Sequence, residues 1–327
     1  MQRRGFITVL AGVVMGWPLG VRGQLAARIH RVASAWVATE ATVRPLEQAF
    51  LAVLTERGYV VGRNLLYESR YANGEPTRLP ALVDELIAFR PDVLAGIEQV
   101  VRVMMSKTSA VPIVMTNASD PVAAGLVNSL SKPGGNVTGV SFQYDELAPK
   151  LIELMREILP GLSRVGHMLD TNIPGSKVEE ANARQAARKL GIVYFAYYVG
   201  SRAEVDTAFA EMQKDRLDAL VQNGGSGMMF GLRQVQIDNA LRLRIPLITG
   251  LASYAEMGAL ISFGPNLIDG FRLAATYVDQ ILKGAKPGDL PVEQPTRFGL
   301  VINLNTAKAL GLAIPQSVLI RADRVIE

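Results

Sequence analysis

The chain has 327 residues, 49% of them hydrophobic and 20% charged, which is enough for two domains of ordinary size and too apolar for intrinsic disorder. It contains no cysteine, so disulfides, thiol catalysis and a lipid-anchoring cysteine are excluded. The formal net charge of +4 includes Arg3, Arg4 and Arg22; residues 1–23 hold no acid, so the remainder carries 4 − 3 = +1, without the basic runs that nucleic-acid binding needs.

The N-terminal stretch MQRRGFITVLAGVVMGWPLGVRGQ places Arg3 and Arg4 before an apolar segment from Phe6 to Val21, which Gly12, Gly16 and Pro18 interrupt. That segment is too short and broken for a membrane span, and Val21-Arg22-Gly23 offers small residues to a signal peptidase. Residues 1–23 are therefore read as a cleaved export signal. The arginine pair before Gly5-Phe6-Ile7 resembles a twin-arginine signal, but general secretory signals also begin with basic residues, and both routes stay open.

Beyond the signal, apolar runs of strand length alternate with segments of helical period, the pattern of βαβ units. Strands are predicted at His30 to Trp36, Asn64 to Glu68, Val93 to Ala95, Pro112 to Met115 and Val137 to Val140. One amphipathic helix carries Leu46, Phe50, Val53 and Leu54, and another Leu79, Leu82, Val83, Leu86 and Ile87. The pattern restarts with a helix from about Glu146 to Leu159. Strands follow at Arg164 to Leu169, Val193 to Val199, Ala219 to Val221 and Pro246 to Thr249, and the capping box Ser201-x-x-Glu204 opens an intervening helix.

The fragments SAVPIVMTNASD and RLRIPLITGLAS each place a proline at the start of a short strand after a helix, which fits either a duplicated lobe or common α/β punctuation. A strand at Ala259 to Phe263 leads into a helix of about Leu267 to Lys283, stopped by Gly284 and Pro287. The tail adds one strand and a short helix. The expected class is α/β, with two Rossmann-like lobes of parallel sheet joined by a multi-strand hinge. One lobe takes residues 28–141 plus 264–290 and the other 142–263 plus 291–327.

In such sheets ligands bind beyond the carboxyl ends of the strands, so the loops there are the candidates. After Met115 comes TNASDP, where Ser119 or Asp120 is a good N-cap and Pro121 suits a first helical position. That helix end could hold a ligand carboxylate and Asp120 a ligand ammonium; alternatively the two residues only cap their own helix. The other crevice loops, Val37 to Glu40, Gly96 to Gln99, Asp170 to Ser176, Gln222 to Gly227 and Thr249 to Ser253, supply Thr39, Glu98, Gln99, Asn172, Asn223 and Thr249 as polar candidates.

Catalytic candidates are few. His30 and His167 fall in or beside strands and read as packed or edge residues. No metal-ligand cluster appears. The sequence around Ser226, GGSGM, breaks the nucleophile-elbow pattern at Met228, and NGGSGMMFG is not a dinucleotide fingerprint, so no cofactor is expected. NVT at Asn136 to Thr138 matches a glycosylation acceptor but reads as a turn entering a strand.

Four segments together carry a resemblance: RRGFITVLAG, ERGYVVGRNLLYESRYANGEPTRLPALVDELI, NASDPVAAGLVNSLSKPGGNVTGVSF and YVDQILKGAKPGDLPVEQPTRFGLVINLNTAKALGLAIP. The chain resembles the ABC transporter substrate-binding protein family that includes tryptophan- and tyrosine-binding members. The resemblance implies a type I periplasmic binding fold, a ligand enclosed between lobes, and delivery to an inner-membrane permease whose ATPase is another chain. By position it implies ligand contacts at Asn117, Ser119 and Asp120 and at the hinge-proximal Thr138, Gly139 and Ser141. GIEQ with Glu98 and Gln99, DTNIPGS, and the glycine-rich loop after Gln222 depart from the family pattern and leave the ligand open.

The expected protein is a periplasmic, monomeric solute-binding component with no cofactor and no nucleic-acid partner, taking an amino acid or related carboxylate. A sensing component docked on a membrane receptor, or an exported enzyme using Asp120, Glu98 or Glu40, are the alternatives.

Overall fold

The computed structural model describes residues 28–295 and 297–327, so the expected export signal at residues 1–23 lies outside the described residues. No described helix is long and apolar enough to cross a membrane.

The first sheet is built from β1 (His30–Trp36), β2 (Leu65–Tyr71), β3 (Val93–Ile97), β4 (Ile113–Ala118) and β5 (Val137–Ser141). Its order is β2-β1-β3-β4-β5, with every pair parallel. Crossover helices α1 (Glu40–Glu56), α2 (Leu79–Ala88) and α3 (Glu98–Lys107) cover its faces, which is why β3 and β4 are almost wholly buried apolar runs. Gly139 in β5 has φ +133°, and a Cβ there would lie 2.2 Å from the Met115 carbonyl oxygen, so only glycine lets β5 pack against β4 at this point.

The second lobe begins with α4 (Leu147–Ile158) and continues through β6 (Arg164–Asp170), α5 (Ser176–Lys189), β7 (Val193–Val199), α6 (Arg202–Asp215), β8 (Ala219–Gln222), α7 (Gly227–Gly231), α8 (Arg233–Arg242), β9 (Leu247–Thr249), α9 (Ala252–Met257) and β10 (Ile261–Pro265). After α10 (Leu267–Leu282) the chain adds β11 (Phe298–Asn303), α11 (Leu304–Leu310), α12 (Gln316–Leu319) and β12 (Arg324–Ile326). The sheet order is β12-β11-β10-β9-β8-β6-β7.

Three sequence expectations are corrected. The second sheet is mixed, because β10 and β11 are antiparallel. The chain leaves β10 at Pro265, runs through α10 on the other lobe, and re-enters at Phe298, the residue paired with Pro265, so it must travel back along the strand it left. The helix expected after Asp120 is a run of turns: Ala124 N–H reaches the Asp120 carbonyl, but Gly125, at φ +69°, breaks the progression of helical bonds. The strand after Pro112 extends to Ala118, so Asn117 lies within β4 and not in a loop.

Pro112 and Pro246 each stand just before their strand, their carbonyls accepting from Leu94 N–H and Leu220 N–H at 2.9 Å. The two fragments singled out by sequence thus occupy matching places in the two sheets. The chain passes between the sheets three times: after β5, between β10 and α10, and between Glu293, which bridges to Val140, and β11. Helix α10 itself packs on α1, β4 and β5.

Candidate functional site

The carboxyl ends of β1, β3 and β4 face those of β6, β8 and β9 across a cleft, where an α/β sheet presents its ligand loops. The loop Gly224-Gly225-Ser226 lies in the middle and lines a chamber on either side.

One chamber, of about 40 Å³, is walled by Trp36, Ile97, Phe230, Leu267 and Phe271, with Asn117 and Ser226 as its polar members. Trp36 and Phe271 stack with ring centroids 5.2 Å apart. The Trp36 indole N–H donates to Glu47 Oε1 at 2.8 Å. The same oxygen accepts from the Tyr67 hydroxyl at 2.8 Å and from Ser69 Oγ at 2.5 Å, while Tyr71 donates to Oε2 at 2.5 Å. Burial first, and then the Glu47 charge, push the Tyr67 hydroxyl well above its ordinary pKa, so it remains a donor. A wider groove of about 580 Å³ adjoins this chamber through Leu46, Phe230 and Leu267, with Arg233, Glu256 and Arg324 around it.

The second chamber, of about 20 Å³, is polar and is lined by Glu98, Asp170, Glu179, Gln222, Asn223 and Ser226 among others. Glu98 opens α3, and its Oε2 accepts from Ser119 N–H at 2.8 Å. Asp170 ends β6 and accepts from Asn172 N–H at 2.8 Å and from Ser226 Oγ at 2.5 Å. Ser226 in turn caps α7 by accepting from Met229 N–H at 3.0 Å, so its hydroxyl is engaged as a cap and not poised as a nucleophile. Asn223 donates to the Tyr144 carbonyl at 2.6 Å. The oxygens Gln222 Oε1 and Asn223 Oδ1 are buried without a hydrogen-bond partner among the described residues.

His167 is fully buried in β6, as its strand setting implies, but its connection to the cleft was not visible in the sequence. Its Nδ1 meets the Tyr194 hydroxyl at 2.8 Å and its Nε2 meets Glu179 Oε1 at 2.8 Å, behind the polar chamber. Among the described residues no group of three His, Asp or Glu side chains could hold a metal ion.

Of the sequence candidates, Glu98, Ser119 and Asn223 line the polar chamber and Asn117 the apolar one, with Asn117 Nδ2 3.4 Å from the Tyr144 hydroxyl. The remaining candidates line neither chamber. Asp120 Oδ1 accepts from Val122 N–H and Ala123 N–H at 3.0 Å, the bonds of a cap, but over a run of turns and not the helix expected there. Thr138 Oγ1 donates to the Leu290 carbonyl at 2.7 Å, and Ser141 Oγ to the Ser119 carbonyl at 2.7 Å. Gly139 meets β4, Thr249 Oγ1 donates to the Leu251 carbonyl at 3.1 Å, and Asn172 is exposed beside Asp170. Thr39 is exposed at the start of α1, and Gln99 sits on α3 next to Glu98.

Trp36, Phe230 and Phe271 were missed because an aromatic in a strand or on an apolar helix face has the periodicity of core. Asp170 and the glycine loop stood in the predicted crevice, but nothing in their local sequence separated them from other polar loops.

The model of the family described as "ABC transporter substrate binding protein" matches residues 38–326. A tyrosine-binding protein of Clostridioides difficile is 28% identical over 270 residues, covering 81% of this chain and 76% of that protein. A Streptococcus pneumoniae ABC domain solved in complex with L-Trp matches with a TM-score of 0.84 and 26% identity, over 91% of this chain and all (100%) of the other. A conserved domain protein of Vibrio cholerae matches with a TM-score of 0.85 and 29% identity, also over 91% of this chain and 100% of the other.

Proposed function

Because the chain belongs to the ABC transporter substrate-binding protein family, we propose that it is the extracytoplasmic binding component of an importer, holding one small organic solute between its lobes. The observation that carries this reading is the paired chamber at the strand ends: an aromatic-walled compartment beside a polar one, divided only by Gly224, Gly225 and Ser226. An apolar body would fill the first and a polar head the second, the usual division of labour in a small-molecule site. The tyrosine and L-Trp relatives support a solute with an aromatic body.

Closure follows from a ligand that touches both lobes, since such a ligand binds the closed state more tightly than the open one. The closed form would then be what an inner-membrane permease, driven by a separate ATPase, recognises. Export by residues 1–23 is part of the same reading, supported by the basic and apolar pattern of that segment.

Thermal denaturation of the purified protein across a library of amino acids, amines, carboxylates and sugars tests it. At least one solute should give saturable stabilisation, about 2.7 kcal/mol at a hundredfold excess over Kd, and should be recovered chemically unchanged. Silence across the library from folded protein, or turnover of the bound solute, would overturn the reading.

A further inference from the structure

We infer that the cleft selects an aromatic amine, a primary ammonium on an apolar ring-bearing body, and discriminates against the same molecule carrying a carboxylate. This rests on the cleft being the solute site. The ligands named for the two relatives, tyrosine and L-Trp, both carry a carboxylate, so the inference separates this chain from them.

Donors around the polar chamber are already taken by the chain's own carboxylates. Ser119 N–H, just past the end of β4, lies in the chamber wall as a donor, and Glu98 Oε2 already accepts from it at 2.8 Å. In the turn beyond, Val122 N–H and Ala123 N–H are taken by Asp120. Across the cleft Asn172 N–H and Ser226 Oγ go to Asp170, Ser176 Oγ goes to the Asp170 carbonyl, and Met229 N–H goes to Ser226. The chain has thus supplied its own carboxylates to Ser119 N–H, Asn172 N–H and Ser226 Oγ, donors that a ligand's carboxylate would otherwise have used.

Most of the polar side-chain capacity that remains is acceptor capacity. Gln222 and Asn223 are 1% and 2% exposed, and their Oε1 and Oδ1 have no hydrogen-bond partner among the described residues. Beside them stand the carboxylates of Glu98, Asp170 and Glu179. Among the described residues no lysine or arginine lines the chamber; Arg102 pairs with Glu98 Oε1 at 3.5 Å from outside it, and His167 backs Glu179. An ammonium brings three donors and no acceptor, which matches this inventory. A carboxylate brings like charge and no donor into a site of low dielectric. The apolar chamber next door, continued through Leu46, Phe230 and Leu267 by the groove of about 580 Å³, supplies aromatic walls and room for the ring.

The test is calorimetric titration with three matched pairs: phenethylamine and phenylalanine, tyramine and tyrosine, tryptamine and tryptophan. In at least one pair the amine should bind ten times or more tighter than its amino acid. Glu98→Gln, which keeps an acceptor for Ser119 N–H but removes the charge, should shrink that ratio at least fivefold. The wild-type ratio decides the matter even if the variant fails to fold. An amino acid binding as tightly as its amine overturns the inference and leaves the solute-binding reading standing. Silence of all six probes also overturns it, and the solute-binding reading falls with it only if the wider library is silent too.

Discussion

Trp36 reads from the sequence as the last residue of a buried strand, and so it is, but its outer edge is a wall of the apolar chamber. Its position is fixed by Glu47, a side chain whose charge favours solvent but whose spacing from Val43, Phe50 and Leu54 puts it on the buried helix face, where it is 6% exposed. A buried carboxylate is tolerated because its two oxygens collect the indole N–H and the hydroxyls of Tyr67, Ser69 and Tyr71. Glu47→Gln keeps one acceptor and turns an amide N–H₂ toward hydroxyls that need to donate. We expect a loss of about 3 kcal/mol, the scale of breaking charge-assisted bonds in a buried network. Trp36 and Trp17 are the chain's two tryptophans. In protein lacking the export signal, Trp36 emission therefore reports the change directly, and solute affinity should weaken with it. Unchanged melting and unchanged emission would show that the network does not hold the ring. Such three-dimensional convergence explains why sequence located Glu98, Asn117, Ser119 and Asn223 near the chambers yet ranked Asp120 and Thr138 beside them. The polar residues of a strand-end loop look alike until their partners are known.

At the scale of elements, strands β1 and β7 match their predicted bounds, and Ser201 Oγ caps α6 by accepting from Glu204 N–H at 3.3 Å. These were legible because apolar runs, β-branched residues and capping chemistry act locally. The reversal of β11 against β10 was not, since it depends on where the helix between the two strands packs. That helix, α10, is pinned to the end of α1 by Asp279, which is 2% exposed and lies 2.6 Å from Arg57 Nη1 and 2.8 Å from Lys283 Nζ. Burial alone would raise the Asp279 pKa, but hydrogen bonds from Lys283, Arg57 and Tyr59 outweigh it and hold the carboxyl below the usual carboxylate range. A depressed folded pKa means that this contribution is complete above the unfolded value, about pH 4, and is lost as pH falls through the lower folded value. Asp279→Asn should therefore cost roughly 2 kcal/mol at neutral pH, because both cations can turn to solvent, and the cost should fade below pH 4. Urea denaturation of both proteins at pH 7 and pH 3 measures this, and a difference that does not shrink at low pH would show the carboxylate charge to be irrelevant.

At the scale of the molecule, the two lobes meet where α7 begins. A Cβ on Gly227 would lie 2.7 Å from Ile97 Cδ1 and 3.0 Å from Val37 Cβ, so this glycine is the closest approach of the glycine loop to the first sheet. The isoleucine tip can swing aside, but Val37 Cβ is fixed to a buried strand end and cannot. Its backbone lies outside the left-handed region, so a larger residue there is compatible with the local fold and incompatible only with the lobes being this close. Gly227→Leu is thus expected to leave each lobe intact and shift the population toward open forms. Because a ligand that touches both lobes draws its affinity from closure, that affinity should fall by tenfold or more. Small-angle scattering should show the variant with a larger radius of gyration than wild type at saturating solute, while its unfolding transition stays within about 1 kcal/mol. A variant that closes and binds like wild type would mean that the contact between Gly227, Val37 and Ile97 yields under ligand, and that closure is limited at the three crossings of the hinge instead.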